Sequence, residues 1–129
     1  MLRDAPDLAP DRVAPGFQRQ GKKLKPSKVV DTRFKTPASG LDASAEEGAR
    51  FAAALLDGRL LAPPSLDAMF APVKGTGEKE TLFTPGWMVA SNRSRGPAFY
   101  TTGSMEGATA LLYVVPGRRF ALVLLGNRE

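Results

Sequence analysis

The fold is decided by residues 86–127, which read GWMVASNRSRGPAFYTTGSMEGATALLYVVPGRRFALVLLGN. Runs of apolar, aromatic and β-branched residues alternate here with turns that contain glycine and proline, a pattern typical of strands joined by sequential hairpins. Because the last two runs are apolar at nearly every position, they predict a sheet that is covered on both faces. We predict four strands, over Trp87 to Ala90, Ala98 to Thr102, Thr109 to Val115 and Phe120 to Leu125.

A helix is predicted upstream of these strands. Ser44 and Glu47 have the spacing of a capping box, in which each side chain bonds the backbone N–H of the other residue, so we expect a helix to begin there. Gly58 supplies the left-handed position at which such a helix ends. The apolar stripe that would face the sheet recurs at three- and four-residue spacing and consists of Gly48, Phe51, Ala52 and Leu55.

A second, shorter helix is predicted over Ser65 to Phe70. Proline is favoured in the first turn of a helix, and Pro63 and Pro64 stand directly before this segment. Leu66, Met69 and Phe70 have the spacing of core residues. Two helices on one face of an antiparallel sheet of about four strands make an α+β fold.

Composition limits the chemistry that the chain can perform. The chain has 129 residues, enough for one domain, with 43% hydrophobic and 24% charged residues, as in ordinary soluble proteins. It contains neither cysteine nor histidine, which excludes a cysteine nucleophile, a Ser-His-Asp triad and the usual zinc ligands within this chain. We therefore expect no metal site and no cofactor. The first six residues lack the apolar core of a secretory signal, and the sequence leaves the compartment open.

The positive charge is concentrated at the amino-terminal end. Residues 1–36 carry nine Lys and Arg against four Asp, so this segment holds the whole formal net charge of +5. Its spaced prolines predict a basic extended segment, separate from a folded unit over residues 37–129. The cluster at residues 22–25 has no helical periodicity and no stacking platform of aromatic side chains, so we expect no nucleic-acid partner. Because no apolar run approaches about 20 residues, we expect no membrane span.

Several motifs follow one another along the chain: Ser39-Gly40-Leu41 through Arg50-Phe51, Gly58-Arg59-Leu60-Leu61-Ala62-Pro63, Met69-Phe70-Ala71-Pro72, Gly86-Trp87 and Thr101-Thr102-Gly103. Taken in order, they resemble the carboxyl-terminal part of the serine beta-lactamase-related hydrolases, the penicillin-recognising family that includes D-alanyl-D-alanine carboxypeptidases. The stretch over residues 13–17 resembles a strand opening of the same family more loosely. The resemblance implies a beta-lactamase/transpeptidase-like fold and a reaction of acyl transfer from an amide or ester to a serine.

The resemblance assigns a substrate-binding role to Thr101, Thr102 and Gly103. In the family, the corresponding strand lines the substrate, its threonine hydroxyl binds a substrate carboxylate, and a Lys or His precedes that threonine. Here Thr102 and Gly103 keep the Thr-Gly pair, and Gly107 keeps a close-packed turn glycine, whereas Thr101 replaces the cation. The loss of that charge predicts a degenerate half-site. Without the resemblance, a pair of threonines on a strand would indicate β-propensity and packing alone.

The family nucleophile is absent from this sequence. No serine has a lysine three residues later, and no Tyr-x-Asn or Ser-x-Asn motif is present, so no catalytic residue is assigned. The resemblance also implies a terminal helix beyond the last strand, for which the sequence has no counterpart after Glu129. We predict a carboxyl-terminal fragment that is inactive alone. Two alternatives stay open: one half of a split hydrolase whose complementary chain supplies Ser-x-x-Lys, or a non-catalytic module that binds another chain through an exposed sheet edge and apolar face.

Overall fold

The structure is a computed structural model, and it describes residues 13–28, 41–73, 83–90 and 96–128. The predicted loop after residue 73 and the predicted first hairpin connection, at 92–97, lie largely outside these ranges. Residues 1–12 and 29–36 of the basic segment, and residues 37–40 at the start of the predicted folded unit, also lie outside them. The described residues form two helices and two antiparallel sheets, which confirms the predicted α+β class.

The larger sheet has five strands in the order of the sequence, so that each strand pairs with the next through a hairpin. The four predicted strands are present, and three of them are longer than predicted. The additional strand, Phe83–Thr84, has only two residues, too few for an alternating pattern to be visible in the sequence. The strands are β3 (Phe83–Thr84), β4 (Trp87–Ala90), β5 (Ala98–Met105), β6 (Ala108–Val115) and β7 (Phe120–Gly126).

Helix α1 spans Ala45–Leu56 and begins at the predicted capping box. The Ser44 backbone N–H donates to the Glu47 carboxylate over 2.9 Å, and the Glu47 N–H donates to the Ser44 hydroxyl over 3.1 Å. The bond from the Ser44 backbone is the main reason that the pKa of Glu47 is lowered. Gly58 has a φ of +70° directly after the helix, as expected for a left-handed stop.

Helix α1 packs on strands β6 and β7. Ala52 and Leu55 are buried, and a Cβ on Gly48 would lie 3.0 Å from a methyl group of Val123, so the helix backbone approaches β7 closely. Phe51 is 48% exposed, so the prediction that it belongs to the buried stripe was wrong. Its position, about 100° around the helix from Ala52, places it beside the stripe.

Helix α2 spans Pro63–Phe70 and starts two residues earlier than predicted, with prolines in its first two positions. Phe70 packs against Trp87 and Phe99, with ring centroids 5.6 and 4.5 Å away. These are ordinary distances for tilted aromatic pairs in a core. Both helices therefore cover the same face of the sheet, and the core between them contains Ala52, Leu55, Trp87, Phe99 and Val114.

The opposite face of the sheet is only partly covered among the residues that the structure describes. Strand register aligns Tyr100 with Tyr113 and Tyr113 with Leu122, so these three side chains form a row across that face. Ala98 and Val115 are buried on this face, whereas Leu122 is 40% exposed and Leu124 is 54% exposed. In the described part of the chain, the predicted cover is therefore present over the core on one face and only partial on the other.

A second, two-stranded sheet lies within the basic segment. Strands β1 (Phe17–Gln20) and β2 (Lys23–Pro26) form an antiparallel hairpin whose turn contains Gly21, at a φ of +62°. The strand at Phe17 agrees with the looser resemblance of residues 13–17. The hairpin is held to the end of β7 by the Phe17 N–H, which donates to the Asn127 carbonyl over 2.9 Å.

Candidate functional site

The three residues predicted to bind substrate lie together on β5. Strand β4 pairs with β5 only at Ala98, Phe99 and Tyr100. From Thr101 to Met105, β5 therefore has no strand partner on its β4 side among the described residues, while its other side pairs with β6 along the whole length. Backbone N–H and C=O groups on such an edge can bond an extended ligand as an additional strand would.

The two threonine side chains lie on opposite faces of the sheet because side chains alternate along a strand. Thr101 is paired with Leu112 on the helix-covered face and is half-buried. Thr102 is paired with Leu111 on the opposite face and is exposed. Its hydroxyl can donate to or accept from a ligand, whereas Thr101 supplies no charge at the position where the resembling family has a cation.

Gly103 leaves open space beside the strand. A Cβ built on it would lie 3.8 Å from the Ala110 Cβ, which is ordinary contact, and its φ is not positive. Nothing in the described chain therefore requires glycine at this position. A requirement for glycine, if measured, would come from a ligand or another polypeptide lying against the strand.

Gly107 closes the turn between β5 and β6 and is tightly packed. Its φ is +73°, and a Cβ on it would lie 2.8 Å from the Ser27 Cβ and 2.9 Å from the Gly16 carbonyl carbon. No side chain fits at these distances without displacing the β1–β2 hairpin. The resemblance predicted a close-packed glycine in this turn, and the structure confirms it and identifies the hairpin as what packs there.

The charged residues around this strand do not form an acid–base pair. The residues of β5 are uncharged, and Glu106 lies exposed in the following turn. The described part of the chain contains no cluster of three or more potential metal ligands and no helix long and apolar enough to cross a membrane. The described residues of β5 therefore offer a ligand an unpaired strand edge and the Thr102 hydroxyl for hydrogen bonding.

The beta-lactamase family model matches residues 4–129, nearly the whole chain. The chain belongs to the beta-lactamase family. Comparison of the sequence with curated proteins gives no significant match. The match extends over the basic amino-terminal segment, where the sequence motifs resemble the family only loosely.

The fold of this family member is similar to that of a D-stereospecific amidohydrolase from Streptomyces sp., with a TM-score of 0.73 and 19% sequence identity. The similarity covers 93% of this chain and 36% of the amidohydrolase chain. The present chain therefore spans little more than a third of the length of that protein. At this identity the comparison shows the fold, and both findings confirm the family and fold that the motifs suggested.

Sequence analysis missed two features of the site. The first is that β5 continues past Thr102 to Met105, because Gly103, Ser104 and Met105 carry no strong strand signal. The second is the packing of the hairpin on the β5–β6 turn through Gly16 and Ser27. The alternating apolar and basic residues on either side of Gly21, which include Phe17, Arg19 and Leu24, were a weak signal of the hairpin itself. No pattern in the sequence shows where the hairpin packs.

Proposed function

We propose that this chain is the carboxyl-terminal portion of a beta-lactamase-related serine hydrolase and that β5 lines its substrate cleft. The observation that carries the proposal is the unpaired edge of β5, which begins at Thr101, directly before the Thr-Gly pair of the family's motif. The substrate class is an amide or ester of peptide-like shape, because an extended ligand can bond the free backbone groups of a strand edge. The hydroxyl of Thr102 would donate a hydrogen bond to a carbonyl or carboxylate oxygen of that substrate.

The nucleophile would come from another segment of polypeptide that carries Ser-x-x-Lys. In the completed site, the serine oxygen attacks the substrate carbonyl carbon, and its proton passes through a base to the leaving amine or alcohol. Water then attacks the resulting acyl ester, which releases the acid and restores the serine hydroxyl. Residues of the present chain take part in neither covalent step. They position the substrate, so the chain alone would be inactive.

The replacement of the family cation by Thr101 would lower activity toward anionic substrates. A cation about 4 Å from a substrate carboxylate contributes about 4 kcal/mol at an effective dielectric constant of about 20, and a neutral hydroxyl supplies much less. The completed hydrolase would therefore favour neutral substrates, or would have lost turnover altogether.

The test uses the chain together with the polypeptide encoded directly upstream, or the natural protein if both are one chain. Hydrolysis of a p-nitrophenyl ester and a chromogenic β-lactam is measured, with mass spectrometry for an acyl adduct on serine. We expect turnover only when Ser-x-x-Lys is present, and a Thr102→Val variant to lower kcat/KM about tenfold or more. A Thr109→Val variant, an exposed threonine on the same face, is the matched control. Equal activity of the two variants would contradict a substrate role for Thr102.

A non-catalytic interaction module is the second candidate. The partly covered apolar face around Tyr113 and Leu122 supports it, because a contiguous exposed apolar surface marks an interaction site. Absence of turnover and of an acyl adduct, combined with stable binding of another polypeptide, would favour this candidate over the hydrolase.

A further inference from the structure

The net charge of the chain is concentrated on the β1–β2 hairpin and the residues that flank it. Residues 13–28 contain five Lys and Arg and no Asp or Glu, whereas the rest of the chain contains thirteen residues of each sign. The formal net charge of +5 therefore belongs entirely to this segment. All five of its cations are exposed; they are Arg19, Lys22, Lys23, Lys25 and Lys28.

The protein itself does not neutralise these cations. None of the five has an ion-pair partner within the part of the chain that the structure describes. Three arginines elsewhere are paired with carboxylates: Arg50 with Glu46, and both Arg59 and Arg119 with Asp57. Opposite charges facing each other across two strands would stabilise a hairpin, but this hairpin has no acidic residue to pair. Its charge is therefore available to an anion outside the described chain.

The cations surround the tip of the hairpin. Strand register pairs Gln20 with Lys23 on one face, and Arg19 with Leu24 on the other. Lys22 lies in the turn that joins the two strands. Either face alone presents only part of the charge, whereas an end-on approach brings cations from both faces and from the turn to the same surface. The arrangement favours contact through the tip.

The tip stands clear of the rest of the described chain. A Cβ on Gly21 would have nothing within 4 Å, and residues 19–26 are all exposed. The base is held in place, because the Phe17 N–H donates to the Asn127 carbonyl over 2.9 Å and the Asn127 amide donates to the Pro15 carbonyl over 3.1 Å. A hairpin fixed at its base presents its cations in an ordered arrangement, which lowers the entropy lost on binding.

An apolar side chain lies among the cations at the tip. Leu24 is 50% exposed and stands between Lys23 and Lys25. It lies two residues beyond Lys22, about 7 Å along the strand. Apolar groups at a membrane surface are buried about 5–10 Å into the boundary between lipid headgroups and acyl chains. Lysine side chains can extend along such an apolar layer while their ammonium groups stay at the level of the phosphates.

Other anionic partners fit the tip less well. Single-stranded nucleic acids are bound by aromatic side chains that stack on the bases, and the single aromatic residue of the segment, Phe17, lies at the base of the hairpin. The groove of a duplex takes one face of a two-stranded ribbon and offers no apolar layer for Leu24. An acidic polypeptide segment would satisfy the charges and leave Leu24 exposed. A surface of anionic lipid satisfies both the cations and the leucine.

We propose that the tip of the β1–β2 hairpin binds end-on to an anionic phospholipid bilayer. Arg19, Lys22 and Lys23 contact the lipid phosphates, and Leu24 lies in the interface below them. Each Lys or Arg near an anionic membrane surface strengthens binding about fivefold. The contact is independent of the hydrolase reaction proposed above, because it requires neither a nucleophile nor a substrate.

Co-sedimentation of the purified protein with lipid vesicles tests the proposal. One set of vesicles contains equal parts of phosphatidylcholine and phosphatidylglycerol, and the other contains phosphatidylcholine alone. We expect binding to the anionic vesicles to be at least tenfold tighter and to weaken as salt is added. Binding through the exposed apolar side chains of the sheet would be equal for both sets, so the difference isolates the charged tip. Equal binding to both sets, or no binding to the anionic set, would overturn the proposal.

Two triple variants separate the hairpin from net charge. The first removes three cations around the tip: Lys22→Gln, Lys23→Gln and Lys25→Gln. The second removes the same charge from other parts of the chain: Arg50→Gln, Arg59→Gln and Arg118→Gln. At fivefold for each cation, the first variant should lose about 100-fold in affinity for the anionic vesicles, and the second less than threefold. Circular dichroism checks that both are folded. Equal losses would show that net charge, and not the hairpin, determines binding.

Leu24→Ser tests the apolar part of the contact, with Leu60→Ser as its matched control. The two leucines are 50% and 48% exposed, so the substitutions remove similar exposed apolar surface. We expect Leu24→Ser to weaken binding to the anionic vesicles at least threefold and Leu60→Ser to leave it unchanged. Equal effects would contradict the placement of Leu24 in the lipid interface. Tighter binding to duplex DNA or to polyglutamate than to the anionic vesicles, at the same salt, would identify another partner and overturn the proposal.

Discussion

Replacing Gly107 with alanine tests the packing of the basic hairpin on the β5–β6 turn. An alanine at a φ of +73° costs about 1–2 kcal/mol in backbone strain alone. The new methyl group would also lie 2.8 Å from the Ser27 Cβ and 2.9 Å from the Gly16 carbonyl carbon. Overpacking of this kind costs about 1–3 kcal/mol, so we expect a total of about 2–5 kcal/mol.

Gly86→Ala is the matched control for this substitution. Gly86 has a φ of +84°, and a Cβ on it would have nothing within 4 Å, so only the backbone cost applies there. Urea unfolding followed by Trp87 fluorescence measures both variants. If the substitution detaches the hairpin from the β5–β6 turn, trypsin cleavage after Lys22 or Lys23 detects the detachment. The extra 1–3 kcal/mol would speed that cleavage about 5- to 150-fold in Gly107→Ala relative to Gly86→Ala. Equal stability and equal cleavage of the two variants would refute the packing described here.

Four other substitutions test three separate parts of the structure. Ser44→Ala should lower the free energy of unfolding by about 1 kcal/mol, because it removes the helix cap. Glu47→Gln should make the melting temperature fall less steeply as the pH is lowered. The pKa of Glu47 is lowered in the folded state. Its carboxylate therefore stabilises the fold above its unfolded pKa of 4.5, and this stabilisation is lost as the pH falls below that value. Thermal melts from pH 6 to 3 compare the unchanged chain with Glu47→Gln. Thr84→Val should stabilise the chain by about 1 kcal/mol in urea unfolding, because the buried Thr84 hydroxyl has no partner in the described chain; a loss of stability would contradict this. Thr101→Lys should raise kcat/KM for anionic esters at least tenfold, but not for neutral ones, in the completed hydrolase, and an equal effect on both would argue against a lost cation.

Local signals in the sequence predicted the elements of this fold well. The capping box at Ser44 and Glu47, the left-handed Gly58 and the double proline before α2 each act within a few residues, so their structural consequence can be read directly. The apolar runs of β6 and β7 are strong because nearly every residue favours a strand.

Features that depend on residues distant in sequence could not be predicted. The exposure of Phe51 depends on which side of the apolar stripe faces the sheet, and packing against β7, a strand distant in sequence, sets that. The contact of Gly16 with Gly107 joins two turns far apart in the chain. The site residues came from the family resemblance, whereas the unpaired edge of β5 beyond Tyr100 became visible only from strand register.

The most direct test of the central claim is an assay of the purified chain alone. It is incubated with a p-nitrophenyl ester and a chromogenic β-lactam, and intact-mass spectrometry then searches for a covalent acyl adduct. Because the role proposed for the chain is to supply the substrate strand, and its sequence contains no Ser-x-x-Lys, we predict neither turnover nor an adduct. Turnover accompanied by an acyl group on one of its own serines would contradict the account and would locate a nucleophile outside the family's motif.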